Sequence, residues 1–183
     1  MFKSSGVVIL FAFAFLNTGS TAQTGPYAGQ EQREIKALSA EEIQNYLAGK
    51  GAGFAKAAEL NHYPGPAHVL ELADSLQLSE EQKARTKSIF NVMQKEAVRQ
   101  GKALVEKERE LDRLFATGKV TADSLRVTVR EIGALQAEVR RAHLQAHVEQ
   151  QAVLTKTQIA KYNELRGYVS KNGQMHGGHS HSH

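Results

Sequence analysis

Apolar residues recur in steps of three, four and seven along most of this chain, the spacing of amphipathic helices. Ile89, Met93, Ala97, Leu104, Leu111 and Phe115 mark one face of a long helix that opens at Ser79. Leu125, Val129, Ile132, Leu135, Val139, Ala142 and Ala146 mark a second that opens at Thr121. The break between them, residues 116–121, is short enough to predict an antiparallel hairpin.

Shorter helices flank it. Ser39 with Glu42, Ser79 with Gln82, and Thr155 with Gln158 read as capping boxes, in which a hydroxyl takes an orphan amide and the third residue's side chain returns to the cap amide. The first predicts a helix to about Ala48, before Gly49-Lys50-Gly51. A second short helix is expected over Phe54–Leu60, and Pro66 suits the first turn of another that presents Val69, Leu70, Leu72, Ala73 and Leu76. The last, from Thr155 to near Val169, carries Ile159, Tyr162, Leu165 and Tyr168. The fold class is all-α, a long antiparallel helical hairpin with shorter flanking helices.

At 1.5 Å per residue the two central helices reach about 45–55 Å, longer than a globule of this size is wide. One hairpin does not bury both stripes, which predicts a two-fold homodimer. A single chain folded back as a four-helix bundle is the alternative.

The chain begins differently. Lys3 precedes ten apolar residues, Val7 to Leu16, and Ser20-Thr21-Ala22 fits a small-x-small cleavage site. Residues 1–22 therefore read as a signal peptide, and the run is too short to span a bilayer. The remaining organisation is a leader over 23–34, short helices over 35–62, the main helical domain over 63–170 and a polar tail over 171–183. Export through a cleaved signal points to the periplasm.

Composition then narrows the chemistry. With no Cys there is no disulfide, thiol nucleophile or Cys-based metal site. Lys and Arg number 23 against 19 Asp and Glu, interspersed rather than blocked, so nucleic acid is not the expected partner. Neither G-x-x-x-x-G-K-[ST] nor G-x-G-x-x-G occurs, so the expected activity runs without nucleotide. No nucleophile–base pair or paired-carboxylate arrangement stands out, and no enzyme is expected.

Leu78-Ser79-Glu80-Glu81-Gln82 and Leu154-Thr155-Lys156-Thr157-Gln158 resemble the paired L-T-x-x-Q signatures of the Spy/CpxP family, the first with Ser for Thr. Residues 63–73 and the segment His143-Leu144-Gln145-Ala146-His147 resemble a branch of that family labelled heavy-metal sensors. The resemblance covers residues 60–170. It implies a cradle-like helical dimer that holds unfolded polypeptides without ATP and, in some members, binding of zinc, nickel or copper coupled to an envelope stress response.

Histidine supplies the remaining chemistry. His143 and His147 are i and i+4 on a helix, so both imidazoles share a face and form half of a metal site. Leu144 follows His143, which excludes the H-E-x-x-H protease base. Further donors are sought in His68 and Glu71, themselves i and i+3, in His62, or in Glu138. His176, His179, His181 and His183 lie within a nine-residue Gly/Ser/Met tail that suits zinc, nickel or copper near neutral pH. No cofactor is required.

Basic residues such as Lys95, Arg99, Arg130 and Arg141 punctuate both long helices. Bordering exposed apolar positions, they would draw acidic segments of unfolded clients. The leading expectation is a periplasmic, ATP-independent, chaperone-like protein that also binds divalent metal through histidines. The alternative is a heavy-metal sensor or buffer acting on a membrane-bound stress or resistance regulator.

Overall fold

The computed structural model describes residues 25–168; the expected signal peptide and the histidine-rich tail lie outside them. Six helices follow one another: α1 (Ala40–Leu47), α2 (Lys56–Glu59), α3 (Pro66–Glu71), α4 (Glu80–Ala116), α5 (Ala122–Gln151) and α6 (Lys156–Leu165). Among the described residues there is no strand. Among the described residues, those up to Glu31 form a unit apart from those that follow, and the fold described below is that of the chain from Gln32 onward.

All three expected capping boxes form, at Ser39/Glu42, Ser79/Gln82 and Thr155/Gln158, and Thr121 with Ser124 makes a fourth. The helix ends obey an equally local rule. After α1, α4 and α6 a glycine takes the left-handed conformation, at Gly49, Gly118 and Gly167, and the amides around it return to the last carbonyls. Two expectations shift for the same reason. α2 is shorter than Phe54–Leu60, because a turn at Gly51–Phe54 precedes it and His62, with φ 66°, closes it. The α3 helix ends at Glu71 rather than Leu76; hydrogen-bonded turns continue to Gln77, whose φ of 51° stops them.

The helix α4 packs along α5, and the pairs Gln82 with Val153, Thr86 with Gln150 and Lys107 with Glu131 show the two running in opposite directions. At their rise per residue they are about 55 and 45 Å long. Their seam buries Met93, Ala97, Leu104, Ile132, Val139 and Ala146.

Two satellite cores complete the unit. Ile35, Leu38 and Ile43 close on Val105, with Lys36–Asp112 and Glu34–Arg109 ion pairs at the edge. Here α1 crosses α4 so closely that a Cβ at Gly101 would overlap the Tyr46 carbonyl, which makes glycine obligatory at that crossing. The second core gathers Val69, Leu76, Leu78, Leu154 and Tyr162 at the open end of the helix pair.

Above that second core the two Leu-Ser/Thr-x-x-Gln segments meet. The Gln82 amide nitrogen donates to the Val153 carbonyl (3.0 Å) and to Gln158 Oε1 (2.8 Å), and Gln158 Nε2 donates to the Leu76 carbonyl (3.2 Å) and to Gln82 Oε1 (3.0 Å). Each glutamine oxygen also accepts from its own cap amide. Both side chains therefore cap one helix and clamp it to the start of the other, with every polar atom paired.

Candidate functional site

The Tyr63-Pro64-Gly65-Pro66 turn has two prolines that fix φ at 64 and 66, and both are buried. It lies against the C-terminal half of α5, where His143 and His147 belong to the buried stripe. The His147 Nδ1–H donates to the Tyr63 carbonyl at 2.8 Å, with Glu59 Oε2 3.6 Å from the same nitrogen. An acceptor at Nδ1 puts the proton there and leaves the lone pair on Nε2, the arrangement in which metal-ligating histidines are held. A Cβ on Gly65 would come within 2.9 Å of His147 Cε1 and 3.1 Å of Nε2, so glycine leaves room for the ring.

His68, in the first turns of α3, is set the same way. Its Nδ1 is 2.9 Å from Glu71 Oε2 and donates to it, leaving Nε2 free. His68 is half-exposed and His147 is buried, yet both border one cavity of about 690 Å³ between the 48–56 segment, the turn, α4 and α5. Phe90, Met93 and the ring of His143 line its inner side.

His143 is held differently. Phe54 stacks on it, with centroids 6.1 Å apart and planes 13° apart, and its buried Nε2 has no partner. Burial, and secondarily the neighbouring His147, lowers its pKa and keeps the ring neutral. Of the other expected donors, His62 also has a buried, unpartnered Nδ1, while the Glu138 carboxylate binds Arg141 at 2.9 Å.

Glu59 is the residue that sequence reasoning passed over. Its carboxylate, largely buried, accepts from Tyr162 Oη at 2.6 Å and Tyr168 Oη at 3.0 Å, and lies 3.5 Å from Arg166 Nε. Burial and the bond to Glu59 push the Tyr162 phenol well up. The four-residue helix that carries Glu59 has no periodic signal, and its partners are about a hundred residues away, so no spacing in the chain announces it. Among the described residues no three His, Cys, Asp or Glu side chains gather closely enough to hold a metal by themselves.

A second feature occupies the far side of the helix pair. Two hollows, of about 490 and 520 Å³, lie between α4 and α5. Their α4 walls, Val92, Glu96, Arg99, Ala103, Glu106 and Glu110, step by three and four and so share one face, opposite the one α1 covers. Val92, Ala103, Ala142 and Leu135 give it apolar positions, and Arg99, Arg141, Glu96 and Glu131 give it charge. Arg99 and Gln100 bind Glu96 and pull its carboxyl down to about 2.

No family model, no curated protein and no solved structure matches this chain. Among the described residues no helix is long and apolar enough to cross a membrane.

Proposed function

We propose that this is an exported divalent-metal-binding protein, a periplasmic sensor or buffer for zinc, nickel or copper. The observation that carries the reading is the pair His68 and His147, each with Nδ1 committed to an oxygen acceptor and Nε2 free, on one cavity. Neutral imidazole with its second nitrogen so anchored is the preferred donor for these metals, and pre-orientation lowers the entropic cost of binding. In this reading Glu71 and Glu59 orient the imidazoles rather than bind the ion. The resemblance to the heavy-metal branch of the Spy/CpxP family, which would make the chain a cradle-like homodimer, agrees with it.

Calorimetric titration of zinc into the mature chain tests this. Replacing His68 and His147 by Ala should weaken the tightest site at least tenfold, about 1.4 kcal/mol. Unchanged affinity would refute it.

The furrow along α4 and α5 favours a second reading, that the protein holds unfolded polypeptide without ATP. Apolar positions flanked by both signs of charge suit extended, heterogeneous segments. Stoichiometric protein should then suppress aggregation of a heat-unfolded client, and Val92→Glu with Leu135→Glu should abolish the suppression. Equal suppression by the variant would remove the furrow from the account.

A further inference from the structure

Two pre-set imidazole nitrogens do not fill a metal's coordination sphere. Zinc takes four donors in a tetrahedral site, and among the described residues no third His, Cys, Asp or Glu gathers beside His68 and His147. Two positions on the ion are left to donors from outside the cavity wall.

The cavity is far larger than those positions need. At about 30 Å³ per water, an ion with two waters takes up on the order of 100 Å³; the cavity holds about 690 Å³. Its size comes from the sequence. Every residue of the 48–53 wall except Lys50 is Gly or Ala, so backbone and methyl groups border the space and no long side chain fills it. Phe90, Met93 and the neutral ring of His143 make the inner side apolar. Spaces of this size and lining, about 300–1,000 Å³ with a few convergent polar groups, are those that hold small organic molecules.

Charge at the border selects the sign of that molecule. Lys50 and Lys56 both line the cavity and are exposed, and the lysine ion pairs among the described residues involve Lys36, Lys83, Lys107 and Lys161 instead. Glu59, the only acidic residue on the wall, is already engaged by Tyr162, Tyr168 and Arg166. Two ammoniums without a counter-charge draw an anion toward the opening.

Resting on the metal reading above, we infer that the cavity takes its metal as a complex with a small organic chelator that carries a carboxylate and a nitrogen donor on a flat or apolar body. The chelator's nitrogen and one carboxylate oxygen displace two waters from the ion, and His68 and His147 hold the other two positions through Nε2. Lys50 and Lys56 balance the carboxylate, and the apolar body covers Phe90, Met93 and His143. Once the nitrogen is bound, the oxygen binds within the same molecule, which favours a chelator over separate anions of the same charge. Nitrogen and oxygen donors suit zinc, nickel and copper alike.

The test is calorimetry on the zinc-loaded mature chain, with His176, His179, His181 and His183 replaced by Ala so that metal held outside the cavity is not counted. Three probes are compared: picolinate, which joins a ring nitrogen to a carboxylate; benzoate, which has ring and carboxylate but no donor nitrogen; and glycine, which chelates without a ring. The expected result is one picolinate per chain, bound at least about tenfold (about 1.4 kcal/mol) more tightly than benzoate, than glycine, and than picolinate on the metal-free protein. Gly51→Leu, at a position where an added Cβ meets nothing nearer than His143 Nδ1 at 4.0 Å, should fill the cavity and weaken picolinate by a similar factor. Lys50→Ala with Lys56→Ala should weaken it as well. Picolinate that strips the zinc, that binds no better than benzoate or glycine, or that is indifferent to both variants would overturn the chelate while leaving His68 and His147 as a metal site. Zinc that fails to bind with or without picolinate, or that binds His68→Ala as tightly as its parent, would overturn the chelate together with the reading on which it rests.

Discussion

The two ends of the long helix pair are built on different terms. At the open end, Gln82 and Gln158 exchange amide bonds, Glu59 gathers Tyr162, Tyr168 and Arg166, and Val69, Leu76, Leu78 and Leu154 fill the space beneath. At the turn end, Phe115, Leu125 and Val129 are exposed. Polar groups buried together demand that all be satisfied, so the open end tolerates little change. The turn end carries apolar side chains that none of the described residues covers, so substitution there should cost little.

The largest expected effects attack the open end. Glu59→Ala strips the acceptor from two tyrosine hydroxyls, one of them fully buried, and should cost about 1–3 kcal/mol for each group left unpaired. Denaturant titration should register it, together with faster exchange at Tyr168. Gln82→Ala loses the return bond to the Ser79 amide and both amide bonds to Gln158 and unpairs the Val153 carbonyl, for about 1–3 kcal/mol. In a double-mutant cycle with Gln158→Ala the two losses should be far from additive.

A proton tests the same end more gently. The lowered pKa of His143 means that the unfolded chain takes up a proton more readily than the folded one. Its contribution is fully retained above the ordinary imidazole range near 6.5 and is lost as pH falls through that range toward the lower folded value. Thermal melts should show the midpoint dropping with acid, and His143→Leu should flatten that part of the curve.

The smallest effect belongs to the turn end. Phe115→Ser should change monomer stability by no more than about 0.5 kcal/mol, as expected for an exposed position. It should nonetheless weaken any self-association seen by sedimentation. A loss of stability as large as that of Gln82→Ala would erase the contrast between the ends.

Much of this architecture was legible because it is local. Capping boxes at Ser39, Ser79 and Thr155 depend on residues three apart, and the stripes of α4 and α5 repeat every turn. The orientation of Gln82 toward Gln158 and the role of Glu59 depend on chain segments far apart in sequence, where spacing carries no distance. The histidines divide the same way. Their shared helix face was readable from the i and i+4 spacing of His143 and His147. That Nε2 of His143 has no partner beneath Phe54, while Nδ1 of His147 is bonded to Tyr63, follows only from how the 48–56 segment and the Pro-rich turn pack on α5.

The central claim is that the cavity's imidazoles bind metal through Nε2 while their Nδ1 protons stay hydrogen-bonded to oxygen. Long-range proton–nitrogen correlation spectra of the histidine rings, recorded before and after one equivalent of zinc, test it directly. The account predicts displaced Nε2 resonances for His68 and His147 with their Nδ1 protons retained. Displacement confined to the four tail histidines, with His68 and His147 unmoved, would contradict it.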